Sequence, residues 1–402
     1  MFCPIFIIFA ADTNSYTHFM NFKSFNIVLV LLLAAVQGVW AQQTETFSVV
    51  TLNVDGLPQK IWFANVNADG PGSAGSVRIG QYLQKKDYDL VFVQEDFNYH
   101  EELTILLEED YRFDTWSGDV GVDGHSIDLL HLQNHRFECD GLGAFLKNNI
   151  VMADVQRTPW TGAFGKFSHA FDEMVTKGFR RYLVTLPGGT ELIVYNMHMD
   201  AGDEADEKEG NDGADREARQ SEWQQLKDDV LAHLDTRPVI VVGDLNSYYC
   251  RDQIKAKFID AIAESGKGVA KDVWVELEKK GEYPAPKDGI ICCETDGNIL
   301  DGEVLDKIIY INPTSGTNIK PLSYSLDQEG YKRDGKMLGD HFPLAATFMV
   351  DDGKSTGIHA LDDENDAVKV VYYNLNGQRI DYPAKGIYVE SKGKDTRKRI
   401  IK

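Results

Sequence analysis

Five short polar stretches of this chain each close an apolar, β-branched run. They are Asn53, Gln94-Glu95, Asn196-Met-His-Met-Asp200, Asp244-Leu-Asn246 and Gly339-Asp-His-Phe-Pro343. Any one of them has a plain structural reading, since Asp and Asn cap turns and a buried Glu or His can simply be paired. Five such ends after five apolar strands need more than that, because buried polar groups are costly unless paired. Gathered at one edge they offer hard oxygen ligands, a carboxylate beside an amide (Asp244, Asn246) and two imidazoles (His198, His341). The set suits Mg²⁺, which takes few carboxylates directly and keeps water and substrate phosphate in its shell; Mn²⁺ is the alternative. It also suits metal-assisted hydrolysis, with a carboxylate orienting water and imidazoles stabilising a charged transition state.

The elements that must position these residues are readable. Residues 238–247, Pro-Val-Ile-Val-Val-Gly-Asp-Leu-Asn-Ser, read as a buried strand, too short and Val-rich for a helix, ending at Gly243 where the backbone can turn. If extended geometry continues through Leu245, Asp244 and Asn246 share a face. Further strands are expected over 46–54, 88–95, 143–147, 150–157, 178–186, 191–198, 306–311, 320–326 and 343–350, and helices over 76–86, 99–107, 214–234, 252–263 and 269–279. Strands and helices alternate early and late, with hairpins between. That pattern gives an α/β fold, a sandwich of mixed sheets and not a uniform βαβ barrel. After an acidic linker (352–366), short strands over 367–402 form a small all-β module. Loops 57–76, 117–140, 158–176 and 281–302 match no motif and are where specificity would lie. His125, His131 and His135 fall in the second of them. His131 and His135 have zinc spacing but no intervening Glu, so the rim of a site is the preferred reading. Nine acids between Asp200 and Glu217 read as a solvated loop without the EF-hand order.

Residues 1–41 read as an export signal, with a start at Met20, one Lys, an apolar run from Ile27 to Val36 and small residues before a cleavage site at Ala41. Ten apolar residues are too few for a transmembrane span. Four cysteines then remain, Cys139, Cys250, Cys292 and Cys293. Adjacent Cys292 and Cys293 are poorly placed to bond each other, so one could pair with Cys250 or Cys139. The net charge of −22 over 402 residues opposes approach to polyanions.

Residues 48–348 resemble the endonuclease/exonuclease/phosphatase superfamily. Six motifs occur in its order: Leu52-Asn-Val-Asp-Gly56, Val93-Gln-Glu95, Asn196-Met-His198, Gly243-Asp-Leu-Asn246, Asp306-Lys-Ile-Ile-Tyr310 and Gly339-Asp-His-Phe-Pro343. The segments Asp140-Gly-Leu142, Asp172 and Lys177-Gly-Phe179 resemble secreted bacterial, neutral-sphingomyelinase-like members. The C-terminal module resembles those of exported Bacteroidota proteins.

The resemblance implies a four-layered α/β/β/α sandwich in a catalytic domain over 44–351. It implies Glu95 as principal metal ligand with Asn53 and Asp340 near it. Asp244 aligns or deprotonates water, Asn246 holds that water and a phosphoryl oxygen, and His198 and His341 contact the phosphate. Asp306 orients His341. Gly339 departs from the Ser of many relatives, and Asp200 is a further substrate or second-metal contact. The expected protein is an exported monomer that hydrolyses a phosphodiester, with a membrane phospholipid headgroup as the favoured substrate. A secreted nuclease is the alternative, favoured if Lys147, Lys177, Arg180 and Arg181 crowd the site. A phosphomonoesterase on inositol phosphates and a non-enzymatic binding protein stand further back.

Overall fold

A computed structural model describes residues 45–61, 64–117, 132–133, 136–137, 139–162, 175–202, 204–293 and 297–351, with four strands between 370 and 401. The export segment, the three histidines of the 117–140 loop, Asp172 and the acidic linker lie outside the described residues. The chain divides into two compact units at residues 354/355. The second holds the strands Val370–Tyr373, Arg379–Ile380, Gly386–Lys392 and Asp395–Ile401 in one antiparallel sheet.

Twelve strands carry the first unit: β1 (Thr46–Asn53), β2 (Leu90–Gln94), β3 (Tyr111–Phe113), β4 (Gly143–Lys147), β5 (Val151–Pro159), β6 (Gly178–Thr185), β7 (Glu191–His198), β8 (Val239–Asp244), β9 (Gly268–Asp272), β10 (Asp306–Pro313), β11 (Asn318–Leu326) and β12 (Leu344–Asp351). One sheet runs β11-β12-β1-β2-β4-β3 and the other β9-β10-β8-β7-β6-β5. Each is mixed, with a single parallel pair at its centre, β1 with β2 and β7 with β8.

Side-chain alternation sorts the residues into layers. Even positions of β8 and β10 (Ile240, Val242, Ile308, Tyr310) and of β7 (Leu192, Val194) meet Phe47, Val49, Leu90 and Phe92 of the opposite sheet in one buried core. Odd positions of the second sheet (Ile193, Tyr195, Val241, Ile309) pack under a long helix, α2 (Gly213–His233), through Trp223, Leu226 and Val230. On the outside of the first sheet, Val50, Leu52, Val91 and Val93 meet Ile79 and Leu83 of α1 (Gly72–Lys86). The result is an α/β/β/α sandwich of two mixed sheets.

Local corrections have local causes. Helix α1 starts at Gly72, four residues early, because Pro71 at its N-cap has the helical φ and needs no donor there. The helix expected over 99–107 is His100–Thr104 followed by turns. The helix expected over 269–279 is instead edge strand β9 plus a short helix, Val273–Leu277. Asp272 makes the break, its carboxylate accepting from the N–H groups of Trp274 and Val275. The helix expected over 252–263 is split into Tyr249–Asp252, a π-helical Lys255–Asp260 and Ala261–Glu264. Part of the acidic loop is helical, over Glu204–Glu209. No disulfide occurs among the described residues, although Cys250 and Cys293 pack in one small apolar cluster. Among the described residues no helix is long and apolar enough to cross a membrane.

The core strand depends on its glycine. Gly243 has φ 146°, and a Cβ there would lie 2.0 Å from the Met197 carbonyl oxygen on the neighbouring strand. Gly243→Ala should therefore cost about 3 kcal/mol or more. Urea denaturation checks this; a midpoint equal to that of the parent would show that the two strands can part without penalty.

Candidate active site

Strand register brings the polar ends together. His198, Asp244 and Asp306 are side-by-side partners on β7, β8 and β10, and partners in register project to one face. That face continues the inter-sheet core. From the other sheet come Thr51, Asn53 and Gln94, the last two also partners. The seam between the sheets is zipped by polar contacts just before the site. Gln94 Nε2 donates to Asn196 Oδ1 at 2.7 Å, and Asn196 Nδ2 donates to the carbonyls of Val93 and Gly143, both at 3.0 Å.

Asp244 is the centre. Its Oδ2 accepts from Asn53 Nδ2 at 3.1 Å and lies 3.5 Å from His198 Nε2 and 3.6 Å from His341 Nε2. Its Oδ1 accepts from the backbone N–H of Asn246 at 3.0 Å. Asn246 has φ 45°, so the strand does not continue through Leu245, and the expected shared face gives way to a turn closed by Asp244 itself. Gly243-Asp-Leu-Asn246 is thus a turn that also sets Asp244 among the other polar strand ends. Asn246 Nδ2 donates to the Met199 carbonyl at 3.1 Å. Its own carbonyl accepts from Arg251 Nη2 at 2.5 Å, and Arg251 is braced by Asp252 and Glu207. Three left-handed non-glycine residues, Asp55, Glu95 and Asn246, cluster here, as strained backbone does at functional sites.

The two histidines differ in charge. Burial and the nearby Lys177 ammonium hold His198 well below its ordinary pKa, so it is neutral at neutral pH. Its Nδ1 is buried with no hydrogen-bond partner among the described residues. Burial also works against charge on His341, but Asp306, Asp244 and Asp340 outweigh it and raise His341 well above its ordinary value. Nδ1 of His341 sits 2.7 Å from Asp306 Oδ2, and the Asn298 amide lies 3.1 Å from Nε2. Burial likewise opposes charge on Asp244, yet His341 and His198 keep it below the usual carboxylate range. A carboxylate, a neutral imidazole and an imidazolium therefore share one point.

Beside them lies a patch of surplus negative charge. Burial and the charges of Asp340 and Glu95 push Asp55 up to about 8. Burial and Asp340 push Glu95 up to about 7. Asn53 Nδ2 donates to Glu95 Oε1 at 3.0 Å and joins this patch to Asp244. Carboxylates that raise one another in this way call for a cation or a proton between them. Among the described residues no three His, Cys, Asp or Glu form a ready-made metal cluster. Mg²⁺ does not require one, since it binds through one or two carboxylates plus water and substrate oxygens. The donor set fits such an ion, with Glu95, Asp340, Asp55 and the Asn53 side chain as the groups that would hold it.

Asn53, Glu95, His198, Asp244, Asn246, Asp306 and His341 are joined by these contacts, and Asp340 acts on them through its charge. The backbone of Asp200 runs beside α2, its N–H donating to Glu222 and its carbonyl accepting from Arg219. Of the four cations, only Lys177 faces the site. Arg180 is locked by Asp114 and Asp140, Lys147 pairs with Asp87, and Arg181 lies 4.0 Å from Asp229. Sequence reasoning passed over Asp55, although it stands in the Leu52–Gly56 motif. It gave Lys177 no role beyond charge and missed Asn298, which no motif contains. Trp160, whose Nε1 donates to the His198 carbonyl at 2.7 Å, also carried no signal.

The profile of the Endonuclease/Exonuclease/phosphatase family matches residues 50–259, more than half of the chain. The chain belongs to this family. Members generally use a divalent cation and act on phosphoesters. This family member is 27% identical over 310 residues to the sphingomyelinases of Mycobacterium bovis and Mycobacterium tuberculosis, a match covering 75% of the chain and 52% of each relative. The chain thus spans about half the length of the curated relatives it matches. Among solved structures, an endonuclease/exonuclease/phosphatase from Bacteroides vulgatus is similar at 16% identity and TM-score 0.48, covering 76% of this chain and 100% of that one. D. rerio TDP2 complexed with single strand DNA product is similar at 18% identity and TM-score 0.48, covering 76% and 99%.

The His341–Asp306 contact has a pH signature. Asp306 is the foremost charge raising His341, so Asp306→Asn should lower the His341 pKa. Activity that needs the imidazolium is lost as pH rises through that pKa, so the alkaline limb of the pH–rate profile should move to lower pH, with a larger loss at pH 8 than at pH 6. Hydrolysis of bis-p-nitrophenyl phosphate across that range reads it; a loss uniform in pH would make Asp306 a packing residue only.

Proposed function

We propose that the protein is an exported, Mg²⁺-dependent phosphodiesterase that cleaves a phospholipid headgroup ester by in-line attack of water, in the manner of a sphingomyelinase. The observation that carries this reading is the ionised Asp244, fixed by Asn53 and the Asn246 N–H with one imidazole on either side. Bound at Glu95, a divalent ion supplies Lewis-acid polarisation of a phosphoryl oxygen. Asp244 Oδ2 takes the proton of the attacking water as its oxygen bonds to phosphorus. Asn246, with Nδ2 engaged by Met199, has its Oδ1 left to accept from that water. His341, held charged by Asp306, donates to the phosphoryl oxygens as negative charge builds, and the ester oxygen departs with the electron pair of the breaking P–O bond and takes up a proton from solvent. Neutral His198 orients the same oxygens without competing for the Asp244 proton.

The lipid substrate is supported by the sphingomyelinase likeness and by the acidity of the chain. Export is supported by residues 20–41. Of the four cations named for the nuclease alternative, Lys147, Arg180 and Arg181 lie against carboxylates elsewhere. Purified protein with Mg²⁺ should hydrolyse bis-p-nitrophenyl phosphate and a phospholipid diester such as sphingomyelin in preference to plasmid DNA. Asp244→Ala should lose about 10³-fold or more in kcat. Equal rates for parent and variant, or plasmid DNA as the best substrate, would overturn this reading.

A further inference from the structure

We propose that the cleft between α1 and the hairpin over residues 332–337 is a subsite for a second anionic group, so that the headgroup this enzyme takes carries a phosphate of its own. The inference rests on the phosphodiesterase reading and narrows its substrate. The cleft encloses about 620 Å³, the size of a small-molecule site. Asp55 and Asp340, of the patch that would hold the metal, line the cleft, so a diester centred there extends its next groups into it.

The lining also carries cations from two elements, Arg78 of α1 and Arg333 and Lys336 of the hairpin. Arg78 and Lys336 have no ion pair among the described residues, and Arg333 comes no nearer than 4.0 Å to the exposed carboxylate of Asp334. Asp69 and Asp334 also line the cleft. With Asp55 and Asp340 turned to a metal, the cations remain in surplus there, in a chain of 63 acidic against 41 basic residues. The first turn of α1 adds no acid to offset them. Guanidinium forks match phosphate oxygens in pairs.

The described walls of the cleft carry cations and no aromatic side chain, whereas quaternary ammonium groups are held by aromatic cages. The chemistry that fits is a phosphodiester whose headgroup bears a second phosphate, either free in solution or lipid-borne.

The test uses Mg²⁺-loaded full-length protein, Arg78→Ala/Lys336→Ala and the charge-keeping Arg78→Lys/Lys336→Arg. Substrates are bis-p-nitrophenyl phosphate, glycerophosphocholine, glycerophosphoinositol 4-phosphate, and phosphatidylcholine vesicles doped with sphingomyelin or phosphatidylinositol 4-phosphate. The wild type should favour the doubly phosphorylated headgroup over choline about tenfold in kcat/KM. The alanine pair should lose that preference while keeping its rate on bis-p-nitrophenyl phosphate, and the charge-keeping pair should restore it. Preference in solution and in vesicles assigns recognition to the headgroup alone; preference in vesicles only assigns it to the lipid-borne form. A choline preference, or equal loss on bis-p-nitrophenyl phosphate, overturns the subsite. Should the wild type hydrolyse nothing, the phosphodiesterase reading fails separately. The subsite is then decided by calorimetry with inorganic pyrophosphate, which the alanine pair should bind about tenfold more weakly; equal binding ends it.

Discussion

Everything at this site depends on keeping Asp244 ionised where burial alone would protonate it. Water cannot solvate a carboxylate at the end of an inter-sheet core, so the fold solvates it with its own groups. Asn53 reaches it from the opposite sheet, the Asn246 N–H from the following turn, and two imidazoles from β7 and from the segment before β12. The charge of His341 is in turn sustained by Asp306, the register partner of Asp244. The carboxylate is thus part of a short chain of alternating charges, Asp306, His341 and Asp244, with neutral His198 beside it. A polar chain of this kind is stable only when the two sheets are held at fixed separation. The Gln94–Asn196 contacts provide that clamp one residue behind the site.

The same geometry divides the polar groups into two neighbourhoods. On one side Asp244 is flanked by cationic or neutral donors and stays charged. On the other, Asp55 and Glu95 are pushed toward neutrality by burial and by the nearby Asp340 charge. Asn53 touches both, donating through one amide nitrogen to Glu95 and to Asp244. Such a split is what hydrolysis needs, an ionised carboxylate able to orient water and take its proton and a separate electron-rich pocket for a cation.

Much of this was legible in the sequence because strand alternation is a rigid rule. Once residues 238–244 are a buried strand, Ile240, Val242 and Asp244 must share a face, and the layered sandwich follows. Legibility failed where a single side chain overrides the local pattern. Gly268–Asp272 alternates buried and exposed residues as an edge strand, but the apolar run that follows, Val273 to Val275, makes the whole stretch read as one helix until Asp272 is seen to cap the second half. The strand pattern leaves open whether Asn246 extends the strand or turns, and the carboxylate two residues earlier folds it into a left-handed turn. Charge was the hardest to place. Arg180 and Lys177 are three residues apart on one segment, yet Arg180 is spent on two buried carboxylates while Lys177 reaches the site, a difference set by partners more than twenty residues away in sequence.

The division between a metal-holding and a water-activating carboxylate can be measured directly. Mg²⁺ binding by calorimetry, alongside hydrolysis of bis-p-nitrophenyl phosphate, should be compared for the parent, Glu95→Gln and Asp244→Asn. The account predicts that Asp244→Asn binds Mg²⁺ within about threefold of the parent while its turnover falls about 10³-fold, and that Glu95→Gln loses both binding and turnover. Loss of Mg²⁺ binding in Asp244→Asn, or retained turnover in either variant, would contradict it.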